Sequence, residues 1–299
     1  MLRDVIVLAA ALGATLATDV GAKTKPSPAP AAASPPTEAD WRTPDPQNVL
    51  VIDTNKGRIL VELNPLVAPQ TVARMRELTR DGVFDGRAFF RVLDNFMDQT
   101  GDPLDSGGGQ SSLPNIPAEF TFKRGSDSAL VVVSRAGGEE QGLIGSFPVT
   151  SQAMDLGLLT VDHKVQAWGD FCAGVLGLAR NEDPDSGNSQ FFLMRTNTQT
   201  ADHANHPLDK AYTAFGRVIL GQDVVDAIKV GEGDEGHVAP PQDRMLQVKV
   251  LADLPEASRP KVRVIDPASA WTKAEIARER ASEGPDFTVC DVKLPAQAQ

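Results

Sequence analysis

Short stretches in which apolar and polar residues alternate recur along most of the chain. Leu50 to Asp53 and Arg58 to Leu63 flank Asn55-Lys56-Gly57 and predict a hairpin whose turn uses the positive φ that Asn and Gly tolerate. From Pro65 to Asp81 the period changes: Val72, Met75 and Leu78 share a helical face, Pro69 suits a first turn and Gly82 a stop. Ala88 to Leu93, Phe96 to Gln99, Ala129 to Ser134, Gly174 to Ala179, Gln190 to Arg195 and Ala214 to Ile219 predict further strands. Met245 to Ala252 predicts another, with Leu246, Val248 and Val250 on one face. Asp223 to Lys229 and Ala270 to Ser282 predict helices, and Phe287 to Val292 a last strand. Asp105 to Ser112 and Asn181 to Ser189 are loops dense in turn formers. Many short strands with two or three helices indicate an antiparallel, mainly β architecture, a barrel or a sandwich.

The 299 residues are 41% hydrophobic and 23% charged, enough for a packed core. No apolar run reaches the roughly 20 residues of a spanning helix, so a chain that crosses a membrane repeatedly is excluded. The net charge of −11 argues against nucleic acid as a partner.

Residues 1–22 have the features of a signal peptide: Arg3, an apolar run from Val5 to Ala17, and small residues up to Ala22. Residues 23–47 hold seven prolines among Ala, Ser and Thr and are expected to be an extended spacer outside the fold. The chain is therefore expected to be exported, to a periplasmic compartment. Cys172 and Cys290 are its two cysteines. An oxidising compartment permits one bridge, closing a loop of about 120 residues for about 4–5 kcal/mol in the chain-entropy account. Two buried thiols are the alternative.

Familiar reactive sets are missing. His163, His203, His206 and His237 sit in polar, loop-like sequence without zinc-site spacing. Gly107-Gly108-Gly109 lacks the Lys-Ser/Thr of a phosphate loop, and there is no GxSxG elbow. Arg91 stands out, embedded in Ala88-Phe89-Phe90-Arg91-Val92-Leu93 and followed by Phe96, Met97 and Gln99. Taken alone it reads as an edge-strand arginine reaching for water or a carboxylate.

Four ordered blocks change that reading. Asp85 to Val92 with Phe96 to Pro103 resembles the active-site stretch of the cyclophilin peptidyl-prolyl isomerases, approximately YDG-x-x-FHRV-x-x-x-FM-x-QGGDP. Lys56 to Ile59 with Ala68 to Val72, Gly177 to Arg180 with Asn188 to Phe192, and Leu208-Asp209 with Phe215 to Val218 and Gly221 to Val225 are similar to that family in the same order. The sequence departs from the family at Phe90 (usually His), Thr100 (usually Gly), Pro207 (usually aromatic) and Tyr212 (often His). The loss of the aromatic at Pro207 argues against tight binding of cyclosporin.

The resemblance implies a closed antiparallel eight-stranded barrel capped by two helices. It implies a cyclophilin-like domain over 48–254, an inserted segment at about 123–170, and an extension over 255–299 that packs on the domain. It also implies isomerisation of X–Pro bonds in proline-containing polypeptides, with no cofactor and no metal. Arg91 would be the catalytic donor. Phe96, Met97, Phe192 and Leu208 would form the proline pocket, and Gln99 would bind the substrate backbone and hold the arginine. The backbone at Ala179 and Arg180 would pair with the peptide, Gln190 would line a neighbouring subsite and Tyr212 the rim. The alternative is a peptide-binding or chaperone module on the same fold with little turnover.

Overall fold

The computed structural model describes residues 34–197, 208–284 and 287–299. The expected signal peptide and the first part of the spacer lie outside them.

Strands follow in chain order as β1 (Trp41–Arg42), β2 (Val49–Thr54), β3 (Gly57–Leu63), β4 (Arg91–Leu93), β5 (Met97–Thr100), β6 (Phe122–Arg124), β7 (Val131–Ala136) and β8 (Glu139–Ile144). They continue as β9 (Phe147–Gln152), β10 (Val165–Gly169), β11 (Val175–Leu178), β12 (Phe191–Met194), β13 (Thr213–Leu220), β14 (Met245–Val250), β15 (Val262–Ile265) and β16 (Ala296–Ala298). The helices are α1 (Pro69–Arg80), α2 (Gln222–Asp226) and α3 (Ala270–Glu283).

Eight strands form one antiparallel sheet in the order β14-β2-β3-β13-β11-β12-β5-β4. Because side chains alternate, each strand sends one set of residues to either face. Leu50, Ile52, Ile59, Val61, Phe191, Leu193 and Phe215 gather on the inner face. There α1 buries Val72, Met75 and Leu78, and α2 buries Val225. The N-terminus of α1 lacks a side-chain cap of its own. Glu119 supplies one from afar, accepting from Gln70 N and Thr71 N at 2.9 and 2.8 Å.

The eight strands and two capping helices match the expected fold, but the closed ladder does not. The sheet is curled, and β4 and β14 remain its two ends. The residues just before each meet at a single bridge, Ala88 to Arg244, while Arg91 bridges to His237 in the loop that precedes β14. The outer edge of β4 is covered by a Gly-rich loop: Val92 N donates to Gly236 O at 2.7 Å and Gly231 N to Val92 O at 3.0 Å. A loop punctuated by Gly231, Gly233, Gly236 and Pro240-Pro241 satisfies an edge without extending a ladder.

Other expectations need correction. The β2–β3 turn leaves Asn55 outside the positive-φ residues; the Thr54 hydroxyl holds it instead, accepting from Lys56 N and Gly57 N. A register shift between Met245 and Gln247 turns Leu246 outward, 57% exposed. The second half of the expected spacer belongs to the fold. Within it β1 pairs with β15, and Arg42 forms two 2.7 Å bonds to Glu62 on β3. Phe287 to Val292 is no strand. Thr288 and Asp291 cap each other around a single tight turn at Val289–Asp291, a local hydrogen-bonding choice that outcompetes β propensity.

The 123–170 segment folds largely as a second antiparallel sheet, β6-β10-β9-β8-β7. The C-terminal residues add β15 and β16 beside β1. Val262 and Val264 share an apolar cluster with Val49, Val51 and Leu60.

Candidate active site

Register brings the sequence candidates together. Arg91 on β4 stands opposite Gln99 on β5, Gln99 opposite Phe192 on β12, and Phe192 opposite Gly177 on β11. Directly opposed residues of an antiparallel sheet share a face. One row across four strands therefore carries Arg91, Gln99 and Phe192 on the outer face. Met97, two residues before Gln99, lies on the same face in an apolar cluster with Phe192, Leu208 and Cys172. Phe96, Ala179 and Tyr212 pack against that cluster, half-buried. The Phe192 ring meets Tyr212 edge-on at 5.9 Å and stacks on Phe171 at 5.8 Å.

Arg91 is half-buried and held by neutral acceptors. Its Nε donates to Glu235 O at 2.9 Å and its Nη1 to Gln99 Oε1 at 3.2 Å. Burial lowers its pKa, opposed by the charges of Glu235 and Tyr212. The Gln99 amide then has only one useful orientation: Nε2 donates to Gln190 Oε1 at 3.0 Å. Gln190 passes the polarity on, its Nε2 donating to Gly107 O at 3.1 Å and Gly109 O at 2.7 Å. Beside this chain of amides opens a cleft of about 280 Å³ bounded by Gln99, the Gly107–Gly109 loop, Ala179, Arg180, Asn188 and Gln190.

Arg180 lies over Tyr212 at 4.5 Å and Phe120 at 5.4 Å from the ring centroids, with Nε donating to Ala211 O. The Ala179 N–H is already bonded to Gln190 O at 2.9 Å, so this donor belongs to the sheet.

The sequence profile of the cyclophilin type peptidyl-prolyl cis-trans isomerases matches residues 49–250. The chain belongs to this family. A probable peptidyl-prolyl cis-trans isomerase of Brucella suis is 30% identical over 221 residues, 70% of this chain and 85% of that one. Peptidyl-prolyl cis-trans isomerase cyp18 of Streptomyces antibioticus is 32% identical over 179 residues, 60% and 81% of the two chains. The crystal structure of cyclophilin AquaCyp293 from Hirschia baltica superposes with a TM-score of 0.76 at 30% identity, covering 86% of this chain and 93% of that one.

The isomerase accommodates two of its departures within the site's framework. Phe90 is buried, and a Cβ on Gly107 would meet its ring at 3.2 Å, so it underlies the glycine loop. Thr100 is fully buried and donates to Ala88 O at 2.8 Å. Pro207, His203 and His206 lie outside the described residues. His163 is exposed; His237 bridges to Arg91 through backbone alone. Among the described residues no group of three or more His, Cys, Asp or Glu is placed to hold a metal ion. Nor is any helix long and apolar enough to cross a membrane.

Two residues that build the site escape sequence reasoning. Asp102 is fully buried and organises the glycine loop. Burial opposes its charge, but backbone N–H donors from Leu104, Ser106, Gly109 and Gly107 outweigh that and hold its pKa below the ordinary range. Asn188 accepts from Ser111 N and Oγ and donates to Leu113 O, tying the loop to the cleft floor. Each sits inside a stretch that resembles the family, Phe96 to Pro103 and Asn188 to Phe192, and nothing else in the sequence marks its role. On the hidden face of β5, burial pushes Asp98 up to about 7, with the charge and hydrogen bond of Arg195 pulling the other way.

Proposed function

We propose that this isomerase acts on X–Pro bonds of exported, incompletely folded polypeptides, with Arg91 as the catalytic residue. Rotation about the peptide bond meets a barrier of about 18–20 kcal/mol, while the X–Pro isomers differ by only about 0.5–1 kcal/mol. Catalysis therefore consists of stabilising the twisted amide, whose nitrogen becomes basic as resonance is lost. A guanidinium donating toward that nitrogen strengthens its bond only in the transition state, and each ~1.4 kcal/mol gained there is tenfold in rate.

The observation that carries this reading is the state of Arg91. It shares a row of the sheet with Gln99 and with Phe192 of the apolar group Phe96, Met97, Phe192 and Leu208, and both its hydrogen bonds go to neutral oxygens. Its charge remains available to a substrate. In this reading the proline ring rests on those four side chains, Gln99 and the backbone at Arg180 hold the peptide, Gln190 lines the next subsite and Tyr212 supplies a hydroxyl at the rim. No bond is made or broken, so the scheme uses no cofactor. The 123–170 sheet is an insertion in this view, covering the outer face beside the pocket.

A protease-coupled isomerisation assay on a proline-containing tetrapeptide tests the proposal. Wild type should turn over and Arg91→Ala should lose about 100-fold or more in kcat/KM with its fold intact. Equal turnover by the two would remove Arg91 from the mechanism. No turnover by wild type would favour a peptide-binding module.

A further inference from the structure

The sheet of the 123–170 segment turns a polar face toward the turn that holds Leu208 and Tyr212. Thr150 and Trp168 are register partners on β9 and β10 and stand side by side. With Glu139, Asp170, Asp209 and Lys210 they line a cavity of about 260 Å³. An aromatic face flanked by carboxylates is the environment that holds an alkylammonium. The chain supplies that group itself. Lys210 Nζ lies 3.4 Å from the centroid of the Trp168 ring and 4.0 Å from Glu139 Oε1.

The backbone pays for this contact. Lys210 has φ 61°, the left-handed region that suits glycine. The residues around it are fastened to the pocket. Asp209 Oδ1 accepts from Phe171 N at 3.1 Å, and the Phe171 ring stacks on Phe192. Ala211 N and Tyr212 N both donate to Leu208 O at 2.9 Å. One short turn thus carries Lys210 and two of the proposed substrate contacts.

We propose that Lys210 is a positioning residue. Its ammonium, seated on Trp168, latches the 123–170 segment to the turn that sets Leu208 and Tyr212 against the proline site. The inference rests on the reading of that site given above. Lys210 touches no substrate; it fixes the wall the substrate meets, so its effect falls on KM rather than on the rotation step.

Two variants separate the ammonium from the backbone. Lys210→Gly relaxes the left-handed residue while removing the cation, and Lys210→Arg keeps a cation over the ring. In the tetrapeptide assay Lys210→Gly should raise KM about 3- to 10-fold with kcat within about twofold, and Lys210→Arg should return KM to within about twofold of wild type. Amide hydrogen exchange at Ala211 and Tyr212 should quicken by about threefold or more in Lys210→Gly and recover in Lys210→Arg. Wild-type KM and exchange in Lys210→Gly overturn the latch. An arginine variant as impaired as the glycine one overturns it equally. A wild-type protein without turnover removes the isomerase reading instead, and the exchange measurement then decides the latch alone.

Discussion

Gly177 and Phe192 face each other across β11 and β12, and a Cβ on the glycine would lie 2.2 Å from Phe192 Cζ and 2.7 Å from Phe171 Cε1. The absence of a side chain at 177 lets both rings lie over the strand and places the Phe192 ring beside the Arg91 row. Gly177→Ala should therefore cost about 1–3 kcal/mol of stability through overpacking. With the ring displaced, kcat/KM should fall about tenfold or more. Thermal unfolding and the coupled assay measure the two effects; an alanine variant with wild-type kcat/KM would show that Phe192 does not shape the pocket.

Gln99 keeps the Arg91 charge unspent because its acceptor is an amide oxygen. Gln99→Glu is nearly isosteric, yet it puts a carboxylate where Oε1 now accepts from Nη1 at 3.2 Å. The guanidinium would then have an anionic partner with which a twisted amide must compete. It also cannot donate to Gln190 as Nε2 now does. The expected outcome is a kcat lower by about 10- to 100-fold with the fold retained, read from steady-state kinetics beside far-ultraviolet circular dichroism.

Legibility from sequence divides along physical lines. Arg91, Phe96, Met97, Gln99 and Phe192 were visible because strand spacing and a family pattern coincide on a few consecutive residues. The register that aligns Arg91, Gln99, Phe192 and Gly177 comes from pairing four strands far apart in the chain, which no local pattern encodes. Trp168 and Lys210 meet only through the tertiary docking of the 123–170 segment. The apparent spacer misled for a similar reason: Trp41 and Arg42 find partners at Ile265, Val264 and Glu62, invisible in a Pro- and Ala-rich stretch. Asp102 lies in the stretch that resembles the family, but its hold on the glycine loop shows only in its backbone donors.

The bridge between Cys172 and Cys290 spans a separation of 118 residues. Cys172 is fully buried in the cluster that includes Met97, Phe192 and Leu208. Phe287, Val289 and Val292 of the C-terminal segment enter the same cluster. Replacing both cysteines with alanine should cost about 2–5 kcal/mol, seen as a lower denaturation midpoint with a somewhat larger urea m-value, because the unfolded chain loses its cross-link and exposes more surface. The change should also raise KM modestly, because Phe171 beside Cys172 stacks on Phe192. Equal midpoints for the oxidised wild type and the double variant would contradict the tether.

Asp170 should give the isomerase a stability that depends on pH, separate from its chemistry. The side chain is fully buried, Oδ2 accepts from Thr150 Oγ1 at 2.9 Å, and Oδ1 has no hydrogen-bond partner among the described residues. Burial pushes its pKa well above the model-peptide value of 3.8, and the nearby charge of Asp209 pushes the same way. In the unfolded chain the carboxyl ionises near 3.8. Between that pH and the raised folded pKa the native state holds more protons than the unfolded one, so stability falls as pH rises through the window. Asp170→Asn cannot ionise and should lose that slope. Thermal unfolding should find the variant more stable than wild type at pH 8, by on the order of 1–3 kcal/mol, with the difference shrinking toward pH 5. Turnover at pH 6 to 8 should stay nearly flat in both proteins, since the proposed catalytic group is an arginine. A variant less stable than wild type at pH 8 would show that the Asp170 carboxylate is compensated in the fold and that its burial carries no penalty.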